Sequence, residues 1–160
     1  MNKYQDIADQ VLKEVEEHIG RQVIIEKWKS KSTKSGKAFY NEYRIIVPEP
    51  TDADTLNTFC HELGHLISYV KPSCLNEYNA CIFALQKLRE HGIPISRNMK
   101  RHHKWYIAYS LGQALNRGMK NIPEELKPFK KYLTKVKVHW FDGKGKQWTT
   151  DAYRADMSKC

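Results

Sequence analysis

Two histidines and a glutamate stand at a spacing that suits metal-assisted hydrolysis. His61 and His65 are four residues apart, and Glu62 directly follows the first histidine. On an α-helix, positions i and i+4 lie on one face, so both imidazoles can reach one tetrahedral metal ion. Glu62 lies beside them, where a carboxylate can act as general base toward water. The pattern therefore predicts a zinc site with His61 and His65 as ligands and Glu62 as the catalytic residue.

A predicted amphipathic helix holds this motif. Thr51 is expected to cap the helix, which begins near Asp52, and Lys71–Pro72 is expected to end it. Apolar residues recur at helical spacing at Leu56, Phe59, Leu63, Leu66, Ile67 and Val70. The alternative interpretation is that the two histidines only line such a helix. The central Glu62 and the small Gly64 favour the metal site.

A catalytic zinc site uses three protein ligands and keeps one position for water, so a third ligand is needed. Glu77 is the main candidate, twelve residues after His65 and near the start of a second helix that can fold back on the first. Cys74 and Cys81 share its helical stripe and are alternative ligands, although cysteines are commonly small buried apolar residues. A third histidine of the extended zincin pattern is excluded, because Lys71 occupies that position.

These residues resemble the ImmA/IrrE-type metallopeptidases of bacteria, phages and integrated elements. The resemblance covers about residues 4–92 and rests on three segments: Arg-Ile-Ile-Val-Pro at 44–48, the His-Glu-Leu-Gly-His helix at 61–65, and Glu-x-x-Ala-x-x-Phe-Ala at 77–84. It implies zinc bound by His61, His65 and Glu77, Glu62 as base, and a DNA-binding regulator, usually a helix-turn-helix repressor, as protein substrate. Ala80 fits physically, because a small residue one turn from the ligand lets two helices approach closely.

The chain also departs from this family. The second helix continues through residues 86–90, where the family commonly has a short apolar run closed by proline, and nothing from about Ile93 onward has a counterpart. The resemblance therefore implies a shared catalytic core and leaves the substrate open.

Length and composition favour one α+β domain over residues 1–160. With 160 residues, of which 41% are hydrophobic, the chain can bury roughly two thirds of its unfolded surface in one core. The expected parts are a small zincin-like core at about 4–92 and a basic helical and β-hairpin extension at about 93–160. We expect a cytoplasmic protein without a membrane partner, because neither a signal peptide nor a membrane span is apparent. The four cysteines are expected to be reduced thiols.

Periodicity places the remaining elements. A helix is predicted at 4–19 with Gly20 as its stop, followed by β-rich runs at 23–29 and 38–47 joined by a flexible hairpin loop at 30–36. The second run is expected to hold a peptide substrate by backbone pairing. The second motif helix is predicted to run to about His91, and Ser96 is expected to cap a third helix at 97–117. A C-terminal hairpin is predicted from 136–141 and 146–150, with its turn at 142–145.

Positive charge is concentrated late in the chain. The net charge is +9, and thirteen basic residues face three acidic ones between Arg97 and Lys146. Such a field attracts phosphate backbones or an acidic protein. The candidate contacts are Arg97, Lys100, Arg101 and Lys104, with Trp105, Trp140 and Trp148 as stacking surfaces. The alternative is that the lysines solvate a surface and the tryptophans fill a core.

Two functions of different class follow from these patterns. The first is a zinc-dependent peptidase that cleaves an intracellular protein, with an additional donor for the developing oxyanion. The candidates for that donor are His102, His103, Tyr106 and Tyr109. The second is a non-enzymatic basic binder, such as a phage-encoded inhibitor, that uses a zincin scaffold to grip nucleic acid or a host protein. Glu62 argues against the binder, because a purely structural metal site needs no base.

Overall fold

A computed structural model describes residues 2–29 and 34–160 and confirms the predicted α+β class. The helices are α1 (Lys3–Ile19), α2 (Ala53–Ile67), α3 (Ser73–Glu90) and α4 (Arg97–Asn116). The strands are β1 (Ile24–Lys27), β2 (Lys37–Phe39), β3 (Arg44–Val47), β4 (Leu133–Phe141) and β5 (Gln147–Ala155). Short 3-10 segments span Tyr40–Glu42, Glu124–Tyr132 and Met157–Lys159. No helix in the described ranges combines the length and apolarity needed to cross a bilayer.

The first sheet differs from the predicted hairpin. Its strand order is β1-β3-β2, with β1 parallel to β3 and β2 antiparallel to it. The predicted second run is broken in two, because Tyr43 adopts a left-handed conformation (φ 47°) after the turn at Tyr40–Glu42 and reverses the chain. β3 leads into α2 but is paired on both sides, so it cannot hold a peptide substrate. The edge strands are β1 and β2, and β2 is the one that precedes the turn at Tyr40–Glu42. Of the predicted loop at 30–36, residues 30–33 lie outside the described residues.

Helix α2 begins and ends slightly differently from the prediction. Asp52, rather than Thr51, is the N-cap, and its side chain accepts a hydrogen bond from the Thr55 backbone N–H at 2.8 Å. Thr55 returns the contact to the Asp52 backbone N–H at 3.0 Å, which completes a reciprocal capping arrangement. The helix ends at Ile67, before the predicted stop at Lys71–Pro72. The first four N–H groups are thus held at a defined position two turns before the metal motif.

Helix α3 joins two hydrophobic clusters. The first cluster contains the buried faces of α1, β3 and α2, and α3 adds Ala84 and Leu88 to it. The second cluster lies between α4 and the C-terminal elements, and α3 adds Cys74 and Cys81. All four cysteines are free thiols, as predicted. Because α3 contributes to both clusters, packing from both sides fixes its position beside α2.

The C-terminal part is built on α4. Ser96 caps this helix as predicted, accepting from the Met99 N–H at 3.0 Å. The β4–β5 hairpin is longer than predicted, and its base packs on α4 near Gly112. The Asn116 side chain both donates to the Tyr153 carbonyl (3.0 Å) and accepts from the Tyr153 N–H (2.7 Å). These two bonds pin the outer edge of β5 to the end of α4.

Candidate metal centre

Three side chains from α2 and α3 converge on one point. His61 Nε2 and His65 Nε2 are 3.1 Å apart, and Glu77 Oε2 lies 3.2 Å from the first nitrogen and 3.4 Å from the second. A metal ion held tetrahedrally at about 2.1 Å from each ligand separates the ligands by about 3.4 Å. The three distances therefore fit one metal ion, and the predicted third ligand Glu77 lies within metal-binding distance of both histidines. Three ligands leave a fourth tetrahedral position open.

Close packing of α2 on α3 brings the ligands together. A Cβ atom at Gly64 would lie 2.9 Å from Ala80 Cα and 3.2 Å from the Ala80 carbonyl oxygen. No side chain therefore fits between the helices where Gly64 meets Ala80. Gly64 directly precedes His65, and Ala80 lies one turn after Glu77. Gly64 and Ala80 thus set the distance between the helices. This contact agrees with the expectation that a small residue at position 80 lets the two helices approach closely.

Electrostatic attraction holds the Glu77 carboxylate to the two imidazole rings. Burial disfavours the charge of Glu77, but hydrogen bonds from His61 and His65 outweigh it and lower the pKa of Glu77 to about 2. The same carboxylate raises the pKa of His65 against the opposing effect of burial. A bound cation would replace the imidazole protons as the partner of Glu77, since ligand histidines must be neutral.

The second nitrogen of His65 faces Asn76. Asn76 Nδ2 lies 3.0 Å from His65 Nδ1, and Asn76 Oδ1 is the one buried side-chain polar atom of the described residues that has no hydrogen-bond partner. A half-turn of the amide places Oδ1 opposite Nδ1, where it accepts the ring proton and leaves Nε2 free to bind a metal. Asn76 thus fits an orienting role for a metal-bound His65.

The two cysteines considered as ligands lie elsewhere. Cys81 Sγ is 3.6 Å from His61 Nδ1, on the side of the ring away from the triad, and burial raises the pKa of its thiol well above the usual value. Cys81 thus contacts the ring nitrogen of His61 that faces away from the triad, and it would accept the Nδ1 proton of a His61 that binds a metal through Nε2. Cys74 is buried in the second hydrophobic cluster. Neither cysteine belongs to the group of converging ligands.

Glu62 is enclosed directly beside the triad. Its side chain lies against Gly36, where an added Cβ would meet Glu62 Cγ at 2.4 Å and Oε1 at 2.6 Å. Glu62 is 7% exposed, and burial raises the pKa of its carboxyl group, partly opposed by His61 and His65. Gly36 immediately precedes the edge strand β2. Gly36 thus holds this carboxylate beside the buried triad. Among the described residues, no lysine or arginine donates a hydrogen bond to it.

Two adjoining cavities open on either side of Glu62. One is lined by residues that include Gly36, His61, His103 and Tyr106, and the other by β2 residues together with His65, Glu77 and again Tyr106. Tyr106 also borders a third cavity beyond Glu77. A continuous cleft therefore runs between β2 and α4 across the triad.

The four predicted oxyanion donors differ in position. Tyr106 stands edge to face with His61 at 5.9 Å between ring centroids, and burial raises the pKa of its hydroxyl to about 12. His103 Nε2 lies 2.9 Å from Asn57 Oδ1, and burial lowers the pKa of His103 to about 4, so the ring is neutral. His102 lines the outer part of the first cavity, and Tyr109 lines the third. Tyr106 has the most direct access to the triad.

The cations predicted at the start of α4 are partly engaged within the chain. Arg101 Nη2 donates to the Met157 carbonyl at 3.2 Å, and Lys104 Nζ contacts the Cys160 carbonyl oxygen at 3.5 Å. Arg97 and Lys100 are exposed. The first two side chains therefore hold the C-terminal turn against α4.

Gly36, Asn57 and Asn76 carry no spacing signal in the sequence, and only the fold brings them to the site. Comparison of the chain with protein-family models, curated proteins and solved structures finds no match.

Proposed function

We propose that this protein is a zinc-dependent peptidase. The observation that carries the proposal is the enclosed Glu62 carboxylate beside three converging ligand atoms. Two imidazole nitrogens and one carboxylate oxygen in tetrahedral arrangement are the ligand set of catalytic zinc, whereas calcium and magnesium prefer all-oxygen sites. When bound, zinc supplies Lewis acidity that lowers the pKa of water to about 7 and polarises a carbonyl group.

Two side chains beside the triad carry out the proton transfer and the stabilisation of the oxyanion. Glu62 accepts the proton of the attacking water and delivers it to the departing amine. Its enclosure by Gly36 and its low exposure support this role, because a carboxylate out of bulk water is a stronger base. Tyr106 donates a hydrogen bond to the developing oxyanion, since its hydroxyl stays protonated at neutral pH.

The edge strand β2 supports a peptide as substrate. Its inner edge pairs with β3, and its outer edge borders the cavity that contains Glu62, His65 and Glu77. An extended peptide can therefore add to the sheet as an antiparallel strand and cross the triad. The family resemblance makes a helix-turn-helix regulator the first substrate to test.

Glu62→Gln separates the peptidase from the non-enzymatic binder. The substitution keeps the shape of the side chain and the three ligands but removes the base. Purified wild type and Glu62→Gln should each hold about one zinc per chain by mass spectrometry of metals. New protein N-termini in cells that express wild type should be at least about 100-fold rarer with Glu62→Gln.

A matched control is Glu125→Gln, which makes the same chemical change at an exposed position. It should produce the wild-type pattern of N-termini. Fragments of equal abundance from zinc-loaded, folded Glu62→Gln would refute the peptidase and favour the binder.

A further inference from the structure

The outer half of the β4–β5 hairpin exposes three large aromatic side chains. The exposed fractions are 49% for Trp140, 69% for Phe141 and 43% for Trp148. Aromatic side chains that are clustered and exposed mark binding surfaces more often than chance, because water contact with them is unfavourable. None of the three lines the cleft around the metal triad.

The hairpin packs through the base of one face, while its other face is open; Phe141 lies at the exposed outer end of the first face. Trp140 pairs directly with Trp148 across the strands, so both side chains lie on the same face, and the pairs Val138–Thr150 and Val136–Ala152 continue it. The opposite face carries Leu133, Tyr153 and Ala155, which pack into the second hydrophobic cluster. The tryptophan face belongs to neither cluster of the described residues.

The orientation of Trp140 favours contact through the ring face. Its indole Nε1 donates to Thr150 Oγ1 across the hairpin at 2.8 Å. The indole N–H is thus satisfied within the hairpin, so Trp140 needs no further hydrogen-bond partner and can bind through its ring. Bases of a single-stranded nucleic acid stack on such surfaces with little regard to sequence.

The charge of the hairpin complements a phosphate backbone. Residues 133–155 contain five basic side chains and two aspartates. Both aspartates are engaged: Asp142 accepts from the turn N–H groups of Lys144 and Lys146, and Asp151 pairs with Lys135. The cations at the end of the hairpin therefore dominate the field around the tryptophans. Lys146 lies two residues before Trp148, on the same side of the strand by alternation.

We propose that the open face of the β4–β5 hairpin binds single-stranded nucleic acid. Trp140 and Trp148 stack on bases, and Lys144 and Lys146 at the turn contact the phosphates. This site differs from the start of α4 that the sequence suggested, where Arg101 and Lys104 hold the C-terminal turn. It is also independent of the proposed peptidase activity, because it shares no residue with the metal cleft.

The test is fluorescence anisotropy with labelled oligothymidylate and oligouridylate of about 16 nucleotides, using the full chain. Wild type should bind at low salt, and the plot of log affinity against log salt should have a slope of about −1.4, as two single-strand phosphate contacts require. Trp140→Leu with Trp148→Leu keeps an apolar cross-strand pair and removes the rings, so affinity should fall about tenfold or more.

Charge variants keep the test informative if the tryptophan variant unfolds. Changing Lys144 and Lys146 to Gln should lower the affinity at low salt at least about tenfold. The matched control changes Lys127 and Lys130 to Gln, which alters the net charge equally and should leave most of the affinity. Circular dichroism and zinc content should be unchanged in both double lysine variants.

Several outcomes would overturn the proposal. Absence of binding to both oligonucleotides at micromolar protein and low salt is one, and equal loss of affinity in the two double lysine variants is another. Tryptophan-dependent binding to anionic phosphatidylglycerol vesicles, or tryptophan-dependent self-association, without oligonucleotide binding would assign the face to a lipid surface or to a second copy of the chain.

Discussion

Replacing Gly64 with alanine should weaken metal binding without touching a ligand. The new Cβ would lie 2.9 Å from Ala80 Cα, whereas ordinary contacts begin at 3.4 Å. The helices α2 and α3 must therefore separate by about 0.5 Å or more. Because both histidines lie on α2 and Glu77 on α3, this shift moves Glu77 away from the pair but leaves the pair intact. Metal sites tolerate deviations of only about 0.2 Å.

The expected magnitudes follow from this displacement. Overpacking costs about 1–3 kcal/mol, and the better helix propensity of alanine returns at most about 1 kcal/mol. The free energy of unfolding should therefore fall by about 1–2 kcal/mol, and zinc affinity should fall at least about tenfold. Urea unfolding of the metal-free protein measures the first quantity, and competition with a chelator of known affinity measures the second.

Two controls make the result specific. Gly112→Ala is the same change inside a helix, but its Cβ would meet Leu133 Cδ2 at 3.2 Å and the Tyr153 carbonyl oxygen at 3.3 Å, neither of which adjoins the triad, so zinc affinity should stay unchanged. Adding Ala80→Gly to Gly64→Ala should not restore binding, since the clash is with the Ala80 backbone. Wild-type zinc affinity in Gly64→Ala would refute the view that this contact sets the ligand geometry.

Three further predictions concern the surroundings of the triad. Gly36→Ala should displace the Glu62 carboxylate, so that cleavage falls at least about 100-fold while zinc content stays at the wild-type level. Asn76→Leu removes the acceptor for the ring proton of His65 and should weaken zinc binding about 10- to 100-fold in chelator competition, whereas Asn76→Asp should retain it. For His103, burial lowers the pKa from 6.5 to about 4, so the unfolded chain takes up a proton first as pH falls. The stability from this group is complete above about pH 6.5, and about 3 kcal/mol is lost by about pH 4. Urea unfolding of wild type and His103→Gln over this range measures that difference.

Each of these predictions has a result that would contradict it. Full cleavage by Gly36→Ala would show that Glu62 moves aside without loss of its role. Equal zinc affinity of Asn76→Leu and Asn76→Asp would remove Asn76 as an orienting residue. Parallel pH profiles of wild type and His103→Gln would show that the His103 ring gains a proton in the folded protein as readily as in the unfolded chain.

The parts of the structure that depend on local pattern were predictable from the sequence. The helices α1 and α4 follow from apolar periodicity and from the stop at Gly20 and the cap at Ser96, and their bounds agree with the prediction within about one residue, as does the end of α3. The spacing of His61, His65 and Glu77 also placed the ligands correctly within metal-binding distance.

The parts of the structure that depend on contacts between distant segments were not predictable from the sequence. The left-handed Tyr43 splits the predicted second strand, and tyrosine seldom adopts that conformation, so nothing in the composition marks the turn. The parallel pairing of β1 with β3 joins two segments whose alternation predicts strands but not their relative direction. Gly36 reaches Glu62 only because β2 returns along the far side of β3.

The position of the ligands on consecutive helices also constrains the order in which the molecule assembles. His61 and Glu77 are 16 residues apart, and closing so short a segment costs little entropy, so α2 and α3 can pair and take up metal early in folding. Gly36 and Tyr106, which complete the cleft, depend on the pairing of β2 with β3 and on the docking of α4, so we expect them to reach the triad after the two helices pair. For the proposed peptidase, an incompletely folded chain would then carry its metal before it can position a substrate.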